Sequence, residues 1–221
     1  MESLSKSYVA FFDLDKTILN LNSGSVLVRE ANKTGLISTV DYLNAVLLSL
    51  LYKFHLRDTN KIISGMGKWL AGKKQEEVKT FSEAIAVNKL INAIRPEILL
   101  EINFHRSNNA CLVILSSAVD EICKPIQNHL RFDALICTSM EVVNGVYTGQ
   151  PENTYCFENE KGIRLKNYCE LMNYDLSSAY YYGDSIADFQ ALELVGNPVC
   201  ISPDKKLNRI ALQKGWEIRN W

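Results

Sequence analysis

The fold of this chain is indicated by residues 8–17, YVAFFDLDKT. Residues 8–12 form a continuous apolar run that is typical of a buried β-strand, and two carboxylates, Asp13 and Asp15, follow it. Like charges this close to a buried strand end repel each other and need a counter-charge to stay ionised. We therefore expect a cation to be held at this strand end. The alternative is a polar turn or a helix cap formed by the same two acids.

The composition is that of a globular protein with one large core, or with a core and an inserted subdomain. The 221 residues include 24 Lys and Arg against 25 Asp and Glu. This balance argues against nucleic acid as a partner. Six cysteines are scattered without the spacing of a zinc site, and no secretion signal precedes the first strand, so we expect reduced thiols and a cytoplasmic location. No segment is long and apolar enough to predict stable membrane insertion.

A helical segment is predicted to follow the first strand. After Leu21, apolar residues recur at helical spacing for about seventy residues, which predicts four amphipathic helices. Their expected starts are Asn22 or Ser23, Thr39 or Asp41, Asp58 or Thr59, and Gln75. The second helix carries an apolar stripe of Leu43, Val46, Leu47, Leu50, Leu51 and Phe54. We expect this stripe to form the core of a small helical bundle, with a surface for a lipid-like group as the alternative.

From Pro96 onward the pattern alternates between helices and short apolar strands. Strands are predicted at residues 111–115, 134–137, 179–182 and 198–201. The pair Asn144-Gly145 lies between two alternating segments and predicts a β-hairpin, and a helix is expected to open at Lys161. Alternation of this kind predicts an α/β fold with a Rossmann-like, mostly parallel sheet.

Polar residues follow the carboxyl ends of three predicted strands. They are Asp13 and Asp15, then Ser116 and Ser117, then Asp184 and Asp188. Ligands of open α/β sheets bind at this edge. Four carboxylates without Cys or His favour Mg²⁺ over zinc. A phosphate group suits the coordination positions that the carboxylates leave open on such a metal, because Ser116 and Lys161 can bind the phosphate oxygens. For Asp184 and Asp188, a helix cap with a first-turn acid is the alternative.

This set of residues allows a two-step transfer of a phosphoryl group. Asp13 is the candidate nucleophile, and its attack on phosphorus would form an aspartyl phosphate. Asp15 is the candidate general acid and base, which would protonate the leaving alkoxide and then activate the hydrolytic water. Thr17 is a candidate for orienting Asp15.

The four motifs and their order resemble those of the haloacid dehalogenase superfamily. The motifs are Asp13-Leu14-Asp15-Lys16-Thr17, Ser116, Lys161 and Gly183-Asp184-Ser185-Ile186-Ala187-Asp188. Within the superfamily the chain resembles subfamily IB, the phosphoserine-phosphatase-like hydrolases. The resemblance implies a core of residues 1–20 and 94–221, with an inserted all-helical cap of the C1 type at residues 21–93.

The resemblance also implies a role for each motif residue. Asp13 would be the nucleophile and a Mg²⁺ ligand, and Asp15 would be the acid and base and a ligand through its backbone carbonyl. The remaining roles are phosphate binding by Ser116, Ser117 and Lys161, metal binding by Asp184, and a place in the metal shell or beside Lys161 for Asp188.

Two positions depart from the pattern of phosphoserine phosphatases. Asn22 stands about where those enzymes carry a glutamate that meets the substrate amine, and Ala187 stands where they carry an asparagine. We therefore expect a Mg²⁺-dependent phosphatase for a small phosphorylated metabolite whose identity stays open. The alternatives are a phosphatase for a lipid phosphate or histidinol phosphate, and a phosphate-binding protein that has lost turnover.

Overall fold

The computed structural model describes residues 6–53, 65 and 67–221, with the backbone alone for residues 50–53. Its centre is a six-stranded sheet in the order β3-β2-β1-β6-β7-β8, in which every pair of neighbours is parallel. The strands are β1 Val9–Phe12, β2 Cys111–Val119, β3 Ala134–Thr138, β4 Met140–Val143, β5 Val146–Pro151, β6 Tyr180–Gly183, β7 Asn197–Ile201 and β8 Glu217–Arg219. This arrangement confirms the predicted α/β fold.

The helices lie between these strands and in the segment after β1. They are α1 Ser23–Lys33, α2 Thr39–Lys53, α3 Gln75–Ile85, α4 Pro96–Ser107, α5 Asp120–Leu130, α6 Asn159–Met172, α7 Phe189–Leu194 and α8 Lys205–Lys214. Short helical turns cover Leu14–Ile18, Lys68–Leu70, Ala86–Leu90, Ile91–Ala93 and Ile186–Asp188. The starts predicted at Asn22, Thr39 and Gln75 are confirmed, and the helix predicted after Asp58 or Thr59 lies outside the described residues.

Strand β1 is buried on both faces of the sheet. Val9 and Phe11 join one apolar cluster, whereas Ala10 and Phe12 join another on the opposite face, and none of the four is exposed. Burial of this kind stabilises by about 1.5–3 kcal/mol for each large apolar side chain. A strand covered on both faces has no polar alternation, which explains the continuous apolar run in the sequence.

Strand β2 differs from its predicted end at residues 116–117. It continues to Val119, but its pairing with β3 is regular only from Val113 to Leu115 and resumes at Val119. The irregular stretch contains Ser116, whose Oγ accepts a hydrogen bond from the Ala118 N–H at 3.2 Å. Apolar periodicity ends at Leu115, so the sequence signal marks the end of regular pairing rather than the end of the strand.

Helix α6 begins two residues before the predicted start at Lys161. Glu158 has a φ of 47°, which turns the chain so that the helix begins at Asn159. Lys161 consequently lies in the first helical turn.

The prediction that the α2 stripe forms a bundle core is wrong for its described members. Leu43 and Leu47 are 58% and 53% exposed, and Val46 is 37% exposed. The side chains of Leu50 and Leu51, and the whole of Phe54, lie outside the described part of the chain. Helical spacing determines which residues share a face, but it does not determine which face a neighbouring element covers.

Among the described residues, backbone pairing links the helical segment to the rest of the fold both at its junction with the sheet and at the β4–β5 hairpin. Where the chain leaves and re-enters the sheet region, Leu19 and Ile94 pair as an antiparallel bridge. Farther away, the Tyr147 N–H of β5 donates to the Lys73 carbonyl at 2.9 Å. The β4–β5 hairpin has the predicted Asn144-Gly145 turn, with a φ of 52° and 76° at these residues. The segment just before α3 is thus attached to this hairpin.

All six cysteines are buried and free. Burial raises the pKa of Cys156 and of Cys200 to about 12, so both thiols stay protonated near neutral pH. None of the described helices has the length and apolar character needed to cross a membrane.

His105 of α4 is a buried histidine held between two tyrosines. Its Nδ1 lies 2.8 Å from the Tyr8 hydroxyl, and its Nε2 lies 2.8 Å from the Tyr182 hydroxyl. Because Tyr182 donates to Glu101 at 2.9 Å, it accepts from Nε2–H, which leaves Nδ1 to accept from Tyr8. Burial lowers the pKa of His105 to about 4, Glu101 opposes this shift, and Arg219 adds to it.

We expect this histidine to make the fold less stable in mild acid. The contribution of His105 to the free energy of unfolding should fall as the pH drops from about 6.5 towards 4, because unfolded His105 takes up a proton that the folded ring resists. Urea unfolding across this pH range should show that the stability of His105→Gln rises relative to that of the wild type as the pH drops. His129→Gln, at an exposed position, is the control. Equal slopes for wild type and His105→Gln would contradict the prediction.

Candidate active site

The predicted site residues come together at the carboxyl edge of the sheet. Strands β2, β1 and β6 are neighbours there, and they carry Ser116, Asp13 and Asp184 respectively. The Asp13 N–H donates to the Tyr182 carbonyl at 2.9 Å, which extends the pairing of β1 with β6 beyond the end of the strand. Three segments that are far apart in the sequence therefore form one polar site, as expected for an open parallel sheet.

Lys161 is buried between two carboxylates. Its Nζ lies 2.7 Å from Asp13 Oδ1 and 2.6 Å from Asp188 Oδ1, and the residue is only 2% exposed. Burial acts to lower the pKa of Lys161, but the two carboxylates outweigh it and raise the pKa well above its usual value. The lysine is therefore charged, and the expected contact of Lys161 with Asp188 is present.

Three buried carboxylates cluster beside this ammonium group. The carboxylate oxygens of Asp13, Asp184 and Asp188 include a set in which all lie within 4.8 Å of one another. Burial raises the pKa of Asp13 to about 7, opposed by Lys161, and it raises the pKa of Asp184 to about 8, reinforced by the charges of Asp188 and Asp13. A divalent cation would relieve this repulsion, and the all-oxygen donor set suits Mg²⁺.

Asp15 lies in a tight turn that leads from β1 towards α1. The next residue, Lys16, has a φ of 59°, which turns the chain out of the strand direction. Asp15 Oδ1 accepts from the Ser23 N–H at 2.8 Å, and Oδ2 accepts from Asn22 Nδ2 at 2.9 Å. Burial raises the pKa of Asp15, and the hydrogen bonds from Ser23 oppose this shift. A carboxyl group with a raised pKa is suited to proton transfer.

Thr17 does not hold Asp15 through a hydrogen bond. Its side chain is buried, and Oγ1 has no hydrogen-bond partner among the described residues. The role expected for Thr17 belongs instead to Asn22 and Ser23 at the start of α1. Asn22 also caps that helix by accepting from the Ser25 N–H at 2.8 Å, so one side chain links the helix start to Asp15.

Tyr181 is a site residue that sequence reasoning missed. Its hydroxyl donates to Asp188 Oδ1 at 2.7 Å and lies 3.4 Å from Lys161 Nζ. The sequence hints at this role only by placing a tyrosine inside a buried strand, because a buried hydroxyl needs a hydrogen-bond partner. The other oxygen of Asp188, Oδ2, accepts from the Ser185 N–H at 3.2 Å. Asp188 therefore makes the helix-cap contact given above as an alternative, in addition to its contact with Lys161.

Gly183 is required by the close approach of Asp188. A Cβ atom at position 183 would lie 2.8 Å from both Cβ and Cγ of Asp188. Any other residue at this position would displace the carboxylate that pairs with Lys161.

A cavity of about 540 Å³ lies beside Asp15, and its described lining includes neither Lys161 nor the three clustered carboxylates. Asp15 and Ser117 line it on the side of the sheet, and Tyr42 and Val46 line it from α2. Tyr42 and Val46 of α2 therefore border a cavity rather than the core of a packed helical bundle.

The sheet, the carboxylate cluster and the cavity define a ligand site of the kind found in α/β enzymes. A model of the haloacid dehalogenase-like hydrolase family matches residues 10–193, a range that contains all four motifs. The chain belongs to this family.

Known relatives cover almost the whole chain. The inhibition of morphological differentiation protein of Streptomyces azureus is 29% identical in an alignment of 214 residues that covers 95% of this chain and 76% of that protein. The histidinol-phosphatase of Neisseria meningitidis is 28% identical over 96% of this chain and 98% of that protein. A solved structure of a protein of unknown function from Bordetella pertussis shares the fold, with a TM-score of 0.87 and 24% identity over 95% of this chain and 96% of that one.

Proposed function

We propose that this hydrolase is a Mg²⁺-dependent phosphomonoesterase that acts through a phosphoaspartyl intermediate on Asp13. The observation that carries the proposal is the contact of Asp13 with buried Lys161, at 2.7 Å, beside a cavity lined by Asp15. A nucleophilic carboxylate, a fixed cation and a separate proton donor are the parts that phosphoryl transfer requires.

The phosphate-binding groups are proposed on both sides of Asp13. Lys161 neutralises the phosphate oxygens from the α6 side, while Ser116 and Ser117 bind them from the β2 side. Asp13, Asp184 and the backbone carbonyl of Asp15 hold the metal. When bound there, Mg²⁺ supplies positive charge that offsets the charge of the transferring phosphoryl group.

The transfer is completed by Asp15. As the bond from Asp13 to phosphorus forms, the bond from phosphorus to the ester oxygen breaks, and Asp15 gives its proton to that oxygen. Asp15 then takes a proton from the water that attacks the phosphoaspartate, which releases inorganic phosphate and restores the Asp13 carboxylate. The hydrogen bonds from Asn22 and Ser23 hold Asp15 in place during both steps.

We also propose that residues 21–93 form a cap over a core of residues 1–20 and 94–221. The bridge between Leu19 and Ile94 lies at the junction of these two parts, which supports the boundary. The contacts of Lys73 with the β4–β5 hairpin restrict the movement of the second half of the cap. Cap closure would exclude water from the reaction.

The substrate is proposed to be a small phosphorylated metabolite. The name of the Neisseria meningitidis relative makes histidinol phosphate one candidate. A binding protein without turnover is less well supported, because Asp13, Asp15, Lys161 and Asp184 are all present and Lys161 contacts Asp13 directly. The free, buried cysteines favour a cytoplasmic location.

A phosphatase screen tests the proposal. With Mg²⁺ present, we expect hydrolysis of p-nitrophenyl phosphate and of at least one metabolite in a panel that includes phosphoserine, histidinol phosphate and a lysophospholipid phosphate. EDTA should abolish the release of phosphate, and excess Mg²⁺ should restore it, because the carboxylate cluster needs the cation. Turnover that is insensitive to EDTA would contradict the role of the metal. Binding of a phosphomonoester without any hydrolysis would favour the binding-protein alternative.

A further inference from the structure

Asp204 connects the turn after β7 to the motif that carries Asp184. It lies directly before α8, outside the range of residues 10–193 that the family model matches. Its backbone N–H donates to the Asp184 carbonyl at 2.8 Å, and its Oδ2 accepts from the Ile186 N–H at 2.8 Å. One residue therefore holds both ends of the segment of residues 184–186, which begins with a proposed metal ligand.

The side chain of Asp204 also caps helix α8. Its Oδ1 accepts from the N–H groups of Lys206 and Leu207, at 2.8 and 2.9 Å. An acid at this position is common, and one oxygen is enough to cap a helix. The other oxygen and the backbone N–H contact the Asp184 motif instead, so capping alone does not account for the contacts of Asp204.

The turn that carries Asp204 is itself fixed to the sheet. Ser202 has a φ of 40°, which is uncommon for a residue other than glycine. Its N–H donates to the Arg219 carbonyl of β8 at 2.7 Å, and its Oγ donates to the Trp221 carbonyl at 2.9 Å. On the other side of Asp204, Leu207 of α8 is fully buried in the apolar cluster that contains Val9. Asp204 thus lies between two anchored residues and can serve as a rigid support.

The Asp184 carboxylate has no such support of its own. It belongs to the buried cluster with Asp13 and Asp188, where burial raises its pKa and the charges of both neighbours raise the pKa further. Among the described residues, no group donates a hydrogen bond to this carboxylate. Its direction therefore depends on the backbone of residues 184–186, against the repulsion of the neighbouring acids.

We propose that Asp204 is a positioning residue for the metal site, which fixes the backbone of Asp184 so that its carboxylate is in place for Mg²⁺. The inference rests on the function proposed above, in which Asp184 is a metal ligand. Mg²⁺ demands near-ideal octahedral geometry, so a small displacement of one ligand weakens its binding. Removal of a residue that holds a metal ligand in place typically costs about 10–100-fold in metal affinity.

Asp204→Asn tests the inference. The asparagine oxygen can keep the hydrogen bonds that cap α8, but the amide nitrogen that replaces Oδ2 cannot accept from the Ile186 N–H. Calorimetric titration of the substrate-free protein with Mg²⁺ should show a dissociation constant raised by about 10-fold or more. The Mg²⁺ concentration for half-maximal hydrolysis of p-nitrophenyl phosphate should rise by a similar factor, while KM for this ester at saturating Mg²⁺ should stay close to the wild-type value.

Asp204→Ser is a second variant with the same expected result. Serine is also a good helix cap, but its single oxygen lies on a shorter side chain and cannot replace both carboxylate oxygens. Thermal unfolding shows whether each variant is folded.

Gly215→Ala is the matched control at the opposite end of α8. Gly215 has a φ of 69°, so alanine strains the end of the helix, and a Cβ atom there would meet no other atom within 4 Å. This variant should lower the melting temperature by about 2–4 °C and leave Mg²⁺ binding unchanged.

Two results would overturn the inference and leave the phosphatase proposal intact. The first is wild-type affinity for Mg²⁺ in either variant of Asp204. The second is an equal loss of affinity in Gly215→Ala, which would trace the effect to the stability of α8. Failure of the wild-type protein to bind Mg²⁺, together with hydrolysis that EDTA does not affect, would instead remove the proposed role of the metal, and this inference with it.

Discussion

Asp13→Asn is expected to lower kcat by about 10⁴-fold or more, because an amide at this position cannot form the phosphoaspartate that turnover requires. Phosphate binding should persist, since Lys161 and Ser116 remain. The rate is measured with p-nitrophenyl phosphate and Mg²⁺, and the binding of inorganic phosphate is measured by calorimetry. The two readouts separate loss of the nucleophile from loss of the site.

Asp175→Asn is the control for this variant. Asp175 is an exposed acid in the loop after α6, where its carboxylate accepts from the Ser177 N–H at 2.9 Å. An asparagine oxygen can accept the same hydrogen bond, so the rate should match that of the wild type. Hydrolysis by Asp13→Asn near the wild-type rate would refute the nucleophile assignment.

Lys161→Ala is expected to lower the free energy of unfolding of the metal-free protein by about 3–5 kcal/mol, because it leaves buried carboxylates without their counter-charge. Asp13 and Asp188 each lie within 2.7 Å of the Lys161 ammonium nitrogen, and both are at most 5% exposed. Urea unfolding at neutral pH in the presence of EDTA measures the effect. Activity should also be lost, since the same ammonium group is proposed to bind phosphate.

Lys166→Ala is the matched control on the same helix. Lys166 is exposed and lies 3.8 Å from Glu170, and removal of a surface pair of this kind usually changes stability by less than about 0.5 kcal/mol. The double variant Lys161→Ala with Asp188→Asn should recover part of the lost stability, because it removes one of the unpaired charges. A Lys161→Ala protein as stable as the Lys166→Ala protein would show that the carboxylates do not need this lysine.

Much of the fold is predictable from local patterns. The apolar run of β1, the hairpin at Asn144-Gly145 and the start of α1 at Asn22 depend on residues close in sequence, and all three are confirmed. The exposure of the α2 stripe was not predictable in this way, because it depends on which elements pack against that helix. Leu43 and Leu47 are exposed although their spacing is that of a core face.

Some residues of the candidate site are likewise predictable from local patterns, whereas some of its contacts are not. Asp13, Asp15 and Asp184 are recognisable because each follows an apolar strand at the edge where parallel sheets bind ligands. The hydrogen bond of Tyr181 to Asp188 has no equivalent local signal. It depends on the direction of a side chain within a packed region, which residue type alone does not specify.

The class of fold, the family and the order of the motifs are predictable from the amino-acid sequence, because strand and helix periods and motif spacing are properties of neighbouring residues. The ion pair of Lys161 with Asp13, 148 residues away, and the hydrogen bonds from Asn22 and Ser23 to Asp15 are visible only in the folded protein. They could not be predicted because ion pairs and hydrogen bonds act over a few ångströms. The order of strands in the sheet, together with the packing of helices on it, brings such distant residues within that range.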